Sequence, residues 1–379
     1  MIELYDLLDS PSASGAGVVE YLRGIDPACD AETYVLEGPK GSTDMVRVRI
    51  PGSRGRAGGG EAPTIGLLGR LGGLGARPER IGFVSDGDGA LTALACAAKL
   101  LSMHARGDVL PGDVFVSTHV CPHAPTFPHE PVAFMGSPVA TADVNREEVG
   151  GTQLDAVLVV DTTKGNRIMN ERGFMISPTV KQGCIMRVSE DLVSLVEIAT
   201  GRRARTYPLS MADITPYGNG LYHLNSILQP CTATDAPVVG VAITTETAVP
   251  GCATGATHLT DLDEAGSFMI EAAKAFGEGK CAFYDEDEYA RFVERYGSMA
   301  HLQGMGVLPA EYSTTTTAPA APMASGIHPA IQITYAPSRN AAARNPTARA
   351  SAARGFTLLY TSTASVGSTL SSAESAPFT

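Results

Sequence analysis

The chain has 379 residues, of which 44% are hydrophobic and 18% are charged, which is enough for one large folded domain or two smaller ones. Its 28 Lys and Arg residues stand against 40 Asp and Glu residues, and the resulting net charge of −12 provides no basic surface for nucleic acid or an anionic membrane. No apolar run approaches the ~20 residues of a membrane helix, and the first residues are acidic where a signal peptide would be basic. We therefore expect a cytoplasmic protein that binds neither nucleic acid nor membranes.

Short apolar runs rich in Val and Ile predict buried strands of a mostly parallel sheet. In chain order these runs are IGFV at 81–84, DVFVST at 113–118, AVLVV at 156–160 and VVGVAIT at 238–244. Between the first two runs, residues 90–105 are almost continuously apolar and are followed by Gly107, as expected of a buried crossover helix. The alternation predicts an α/β fold with a largely parallel central sheet flanked by helices.

The second half of the chain predicts a smaller β element and three helices. Residues 177–189 are typical of β structure and residues 189–201 of a helix capped at both ends, so a segment of about 165–210 could form a lid or a small subdomain. Two amphipathic helices with acidic starts are predicted within 259–279 and 285–303. We expect these two helices to cover the sheet or an interface of a homo-oligomer.

The composition changes after Glu311. Of the 68 residues from 312 to 379, 43 are Ser, Thr, Ala or Pro, and the apolar residues show no period. Such a segment cannot offset its ordering entropy by burying apolar surface. We therefore expect a single α/β domain over 1–311 and a disordered tail over 312–379.

Acidic residues and histidines follow the predicted strands, at the carboxyl ends where ligands collect in open α/β sheets. In chain order they are Asp86, Asp88, His119, Asp161 and, beyond the last strand, His258. The aspartates could instead cap the turns and helices that follow them. His119, His123 and His129 share one Pro-rich stretch that could hold a metal ion, although their spacing is not a standard zinc signature.

Two loops rich in Gly and Pro carry further polar side chains, at 212–226 and 249–262. Glycines there permit a ligand to approach the backbone closely, while the alternative is a pair of turns with helix caps. Together with the lysine that follows the third strand, these loops supply the candidate substrate-binding residues, which are Lys164, Asp213, Tyr217, Asn219, His223 and Cys252.

The chain resembles an uncharacterised bacterial family described only as a domain of unknown function. The motifs that carry the resemblance are VSDGDGA, STHVCPHAP, VVDTTKGN, SPTVKQG, DITPYGNGLYH and VPGCATGATH, and it extends over residues 1–308. More distantly, the order of strand-end groups is similar to that of the co-catalytic zinc aminopeptidases, which implies a metallopeptidase-like fold. The resemblance would make Asp86 or Asp88 the acid that bridges two metal ions, Asp161 a ligand and His258 the late histidine ligand. The glutamate pair of those enzymes has no counterpart here, because residues 119–121 are His-Val-Cys.

The leading hypothesis is a metal-dependent hydrolase that cleaves peptide or other amide bonds in a small molecule or a short peptide. One or two divalent ions, most simply zinc, would be held by Asp86, Asp88, His119, Asp161 and His258. Such an ion lowers the pKa of bound water towards 7 and polarises a carbonyl group. His119, His123 or Glu130 would then act as the base.

Two alternatives belong to other functional classes. The seven cysteines include no CxxC pair, which argues against disulfides and structural zinc, but Cys121 and Cys252 follow strands and could serve a cofactor-free isomerase or racemase as paired acid and base. Buried thiols are nevertheless more common than reactive ones. The other alternative is a non-catalytic small-molecule-binding relative of the peptidase fold.

Overall fold

The computed structural model describes residues 1–75, 82–128, 134–249 and 254–306. Its helices are α1 (Ile2–Asp9), α2 (Gly15–Ile25), α3 (Asp88–His104), α4 (Thr141–Val149), α5 (Glu190–Thr200), α6 (Leu259–Gly277) and α7 (Glu286–Tyr296). Its strands are β1 (Asp30–Gly38), β2 (Gly41–Ile50), β3 (Ile65–Gly69), β4 (Val114–Val120), β5 (Thr126–Phe127), β6 (Phe134–Met135), β7 (Ala156–Thr162), β8 (Gly173–Ile176), β9 (Val180–Lys181), β10 (Cys184–Ile185) and β11 (Val238–Thr244). The predicted tail over 312–379 lies outside the described residues.

A mixed sheet, nine-stranded within the described residues, organises the fold. The strand order is β1-β2-β4-β3-β7-β11-β9-β10, and β8 also pairs with β11. The four central strands β4, β3, β7 and β11 are mutually parallel. On one side β2 is antiparallel to β4 and β1 is antiparallel to β2. On the other side β8 and β9 are antiparallel to β11, and β10 is antiparallel to β9. The predicted α/β fold with a largely parallel central sheet is confirmed.

The two faces of the sheet are covered by different layers, and each layer buries its own core. Helices α3 and α6 cover the first face, where they pack on side chains such as Leu67 and Leu158. The second face buries Leu68 and Val159 against α4 and the segment 207–236. Because successive side chains of a strand point to opposite faces, Asp161, two residues after Val159, also belongs to the second face. No helix among the described residues has the length and apolar character needed to cross a membrane.

Most elements lie where the hydrophobic patterns predict them. The run at 238–244 is β11, the run at 156–160 lies within β7, and the crossover helix is α3. Helix α5 has both predicted caps, since Ser189 Oγ accepts a hydrogen bond from the Leu192 amide and Gly201 adopts φ +65° at the other end. The segment of about 165–210, predicted as a lid or subdomain, supplies β8, β9 and β10 to the main sheet.

The predicted strand at 81–84 is wrong for residues 82–84, which are not in a strand, and residue 81 lies outside the described residues. Gly82 adopts φ +92°, which interrupts an extended chain. The apolar ring of Phe83 packs against that of Tyr5 and not within the sheet. The strand that precedes α3 is instead β3, a five-residue run with glycine at two positions. The two glycines and the short length of β3 leave little strand signal in the sequence.

The first turn of α3 lies directly against the ends of β3 and β7. A Cβ atom added at Gly89 would overlap the carbonyl oxygen of Arg70 and would lie 2.5 Å from that of Val160. Both obstacles are backbone atoms, so the helix itself would have to move.

We expect Gly89→Ala to lower the free energy of unfolding by about 3 kcal/mol, because relieving this overlap displaces α3 from the sheet. The matched control is Gly24→Ala in α2, where an added Cβ meets nothing within 4 Å. This control should be neutral or stabilising by up to about 1 kcal/mol. Urea denaturation measures both, and equal effects of the two substitutions would contradict the packing described.

Candidate functional site

Charged side chains replace apolar ones at the carboxyl ends of β3 and β7, on the second face of the sheet. Arg70 continues the alternation of Leu68, and Asp161 continues that of Val159. Glu148 reaches the same place from α4. Arg70 and Glu148 are 0% exposed and Asp161 is 2% exposed. Three ionisable groups are therefore buried together where two parallel strands end.

Arg70 is bound along only one side of its guanidinium. Nη1 donates to Asn145 Oδ1 at 2.7 Å and to Glu148 Oε2 at 2.6 Å. Within the part of the chain that the structure describes, Nε and Nη2 have no hydrogen-bond partner, and neither does Glu148 Oε1. Buried polar atoms without partners are rare in folded proteins and commonly mark a site for water, an ion or a ligand.

Asp161 is held by two donors. Its Oδ1 accepts from the Thr162 amide and its Oδ2 from Ser226 Oγ, each at 2.7 Å. The Tyr217 hydroxyl is also buried there. Among the described residues it makes no hydrogen bond of standard geometry. Burial raises the pKa of Tyr217, and the nearby charge of Asp161 raises it further, so the hydroxyl is a neutral donor.

Burial raises the pKa values of both carboxyl groups towards neutrality. Burial raises the pKa of Glu148 from 4.5 to about 7, with Arg70 opposing and Asp161 adding to the shift. Burial likewise raises the pKa of Asp161 to about 6, against the stabilisation of its charge by Ser226 and Arg70. Two buried carboxyls with pKa values near the working pH are suited to transfer protons during catalysis. We call Arg70, Glu148, Asp161, Tyr217 and Ser226 the acid–base cluster.

A buried ion pair lies beside this cluster. Lys164 Nζ donates to Asp88 Oδ2 at 2.8 Å, and Thr257 Oγ1 donates to Asp88 Oδ1 at 2.6 Å. Burial raises the pKa of Asp88, and the charge of Lys164 opposes this shift. The charge of Asp88 in turn raises the pKa of Asp161, so the pair and the cluster are electrostatic neighbours.

The predicted metal ligands do not form a metal centre in the described residues. No group of three or more His, Cys, Asp or Glu side chains there could hold an ion. Asp88 already uses both oxygens, and one of its partners is the Lys164 ammonium, which would repel a metal ion. His258 is 61% exposed and faces Asp261, with Nδ1 3.4 Å from a carboxylate oxygen. Asp86 is buried beside Gly73.

His119 is buried, and both of its ring nitrogens form hydrogen bonds within the protein. Its Nε2 accepts a hydrogen bond from the Gly72 amide at 3.0 Å, so Nδ1 carries the proton and donates to Thr43 Oγ1 at 2.8 Å. Burial lowers the pKa of His119 to about 3, and the charge of Arg70 adds to that shift. A neutral ring with both nitrogens bound is not available as a metal ligand or as a base.

The other predicted catalytic residues have separate positions. Cys121 is buried, and burial raises the pKa of its thiol to about 11, which disfavours the thiolate needed for acid–base chemistry. His123 is exposed. His129, Glu130 and Cys252 lie outside the described residues.

Several predicted substrate-binding residues shape the loop that covers the cluster. Asp213 accepts from the Ser210 amide and hydroxyl, and His223 lies between the carbonyl oxygens of Thr215 and Leu221. Asn219 donates to Thr215 Oγ1. These contacts fix the loop from within, and Tyr217 is the predicted residue that the loop presents to Asp161.

Sequence reasoning missed Arg70 and Glu148. The available signal for Arg70 was a charged residue immediately after the apolar run IGLLG. Glu148 lies in a polar helical segment that contains three other charged residues, so its burial has no local signal in the sequence.

A family model for proteins of unknown function, DUF1177, matches residues 34–306. The chain belongs to the DUF1177 family. This confirms the resemblance that the sequence motifs indicated. A search of curated proteins finds no match to this chain.

Several solved structures are similar to this DUF1177 member. The bottromycin maturation enzyme BotP is 16% identical, with a TM-score of 0.41 over 73% of this chain and 68% of that chain. A glutaminyl cyclase from an Acidobacteriales bacterium is 14% identical, with a TM-score of 0.42 over 73% and 94%. The LapA aminopeptidase of Legionella pneumophila is 11% identical, with a TM-score of 0.43 over 73% and 65%. Aminopeptidases are thus among the solved structures that resemble the chain, as the sequence predicted.

The raised pKa of Glu148 makes stability depend on pH. The folded protein keeps the Glu148 proton up to about pH 7, whereas the unfolded chain loses it near pH 4.5. The free energy of unfolding therefore falls as the pH rises between these two values. Glu148→Gln removes the titration. We expect its free energy of unfolding to rise relative to wild type by up to about 1.4 kcal/mol per pH unit over this window and then to level off.

Urea denaturation from pH 4 to 8 measures this difference. Glu20→Gln, which removes an exposed carboxyl from α2, is the control for the loss of one acidic group. A difference between Glu148→Gln and wild type that is constant across the window would contradict the raised pKa.

Proposed function

We propose that the chain hydrolyses amide bonds in small molecules or short peptides, with Asp161 and Glu148 as its acid–base pair. The observation that supports this most strongly is the burial of two carboxyls at one site with Arg70, which raises the pKa of Asp161 to about 6 and that of Glu148 to about 7. Between these values Asp161 is mostly ionised while Glu148 is mostly protonated. A base and an acid are then present together at one site, as amide hydrolysis requires.

The proposed reaction consists of three proton transfers. Asp161 accepts a proton from water as the water oxygen attacks the amide carbonyl carbon. Glu148 gives its proton to the amide nitrogen as the carbon–nitrogen bond breaks, so the products are a carboxylic acid and an amine. Return of a proton from Asp161 to Glu148 restores the starting state. The Tyr217 hydroxyl, a neutral donor beside Asp161, would hydrogen-bond to the oxyanion that forms on the carbonyl oxygen.

The metal-dependent form of the hypothesis does not fit the described residues. Asp88 and His119 have protein partners on every side-chain oxygen or ring nitrogen, and one partner of Asp88 is the Lys164 ammonium. No step of the proposed reaction therefore uses zinc or another divalent ion. The alternative with paired cysteines is also less favoured, because burial suppresses ionisation of the Cys121 thiol.

The proposal predicts a narrow pH optimum and a strict need for both carboxyls. With dipeptides and N-acyl amino acids as substrates, amine release should be greatest between about pH 6 and pH 7, since Asp161 must be ionised and Glu148 protonated. Asp161→Asn and Glu148→Gln should each lower kcat by about 100-fold or more. Asp143→Asn, at the exposed surface of α4, is the matched control and should retain full activity. Undiminished turnover in both cluster variants would contradict the proposal, and binding without turnover would favour the non-catalytic alternative.

Chelation separates the two forms of the hydrolase hypothesis. We expect wild-type activity to survive EDTA treatment followed by removal of the chelator, because the proposed proton transfers involve side chains alone. The measurement is amine release together with the metal content of the treated protein. Activity that disappears with the metal and returns with added zinc or manganese would contradict a reaction run by the carboxyl pair.

A further inference from the structure

The unbound edge of Arg70 is the most unusual feature of the acid–base cluster. A guanidinium offers two parallel N–H groups along the edge formed by Nε and one terminal nitrogen. In Arg70 this edge consists of Nε and Nη2, both buried and both without a partner among the described residues. The contacts to Asn145 and Glu148 are made by the other nitrogen, Nη1, so they do not use the donors of this edge.

The geometry of this edge suits an anion that presents two oxygens side by side, such as a carboxylate. Two parallel N–H donors pair with the two oxygens of a carboxylate, and such bidentate pairs are among the strongest charge-assisted hydrogen bonds. We propose that the Nε–Nη2 edge of Arg70 binds a carboxylate of the substrate. The inference rests on the proposed function for the position of the scissile bond, but the binding itself requires no catalysis.

The charges around Arg70 favour a carboxylate over a phosphate. The ammonium of Lys164 is neutralised by Asp88, and His119 is held neutral. Among the described residues of this site, Arg70 is therefore the cation that remains for a ligand, and Asp161 and Glu148 oppose further negative charge. With Glu148 protonated and Asp161 ionised, a bound carboxylate leaves one net negative charge on Arg70, Asp161 and the ligand together, whereas a phosphate dianion leaves two, which burial disfavours more strongly.

The substrate class follows from combining this anchor with the neighbouring carboxyl pair. A small molecule that carries a carboxylate close to an amide could place the first on Arg70 and the second beside Asp161. N-acyl amino acids and the carboxyl-terminal residue of a short peptide have this arrangement. An amide without a neighbouring carboxylate would lack the anchor.

The test compares two ligands that differ only in the charge of one group. N-acetylglycine supplies the carboxylate, and N-acetylglycinamide replaces it with a neutral amide of nearly the same shape. At pH 6, wild-type protein should bind N-acetylglycine at least 10-fold more tightly, measured by calorimetry and by the rise in Tm. Arg70→Lys keeps the positive charge but loses the two parallel N–H donors, and it should weaken N-acetylglycine binding by at least 10-fold. The matched control is Arg56→Lys, whose arginine makes a bidentate pair with Asp155 at the surface, and it should bind like wild type.

The outcomes separate this inference from the proposed function. Equal binding of the two ligands, binding of neither, or unchanged binding in Arg70→Lys would overturn the carboxylate site. If Arg70→Lys does not fold, the comparison of the two ligands on wild-type protein decides. Selective binding of N-acetylglycine without hydrolysis of any amide would support the site and refute the proposed function. Hydrolysis of amides with no preference for a carboxylate would support the proposed function and refute the carboxylate site.

Discussion

The buried contact between Arg70 and Glu148 joins the parallel centre of the sheet to α4. Both side chains are 0% exposed, and Arg70 Nη1 lies 2.6 Å from Glu148 Oε2. Asn145, one turn earlier in α4, accepts from the same nitrogen. Removing one member of a buried pair leaves an uncompensated charge in the interior, which costs about 3–5 kcal/mol. This pairing therefore fixes where α4 lies, and burial raises the pKa of Glu148 against the opposing charge of Arg70.

The polar site is built by the same alternation that builds the core. On the second face, Leu68 and Val159 are apolar, and the next positions on that face are Arg70 and Asp161. Rigid strands thus present the arginine and the aspartate, while α4 adds the glutamate and the loop at 210–226 adds Tyr217. The loop can do this because Asp213 binds its backbone from within. The reacting groups are consequently positioned by strands, a helix and an internally bonded loop.

The parts of the fold that sequence reasoning found are those with a local signal. Strand β11 and helix α5 were predicted because their apolar spacing and caps are visible within a dozen residues. Strand β3 has no clear signal in the sequence, because five residues with two glycines show little β preference. Residues 82–84 have the apolar character of a strand, but Phe83 packs against Tyr5 of α1 and the segment beside Gly82 does not pair with the sheet.

The site was predicted only in part, for a related reason. Asp161 and Tyr217 were identified from their positions at a strand end and in a polar loop. Arg70 and Glu148 are 78 residues apart, so their contact has no trace in a local pattern. The position of His119 in a polar segment at the end of a strand predicts a metal ligand. In the structure, Thr43 of the neighbouring strand β2 and Gly72 of the turn after β3 form hydrogen bonds with its two ring nitrogens.

A carbon-13 NMR titration of the side-chain carboxyl groups tests the acid–base pair most directly. Protein labelled at the Asp and Glu carboxyl carbons would be followed from pH 3 to 9, with Asp161→Asn and Glu148→Gln used to assign the two resonances. We expect midpoints at about 6 for Asp161 and about 7 for Glu148. Midpoints near 4 for both groups would leave no proton donor at neutral pH and would contradict the acid–base pair.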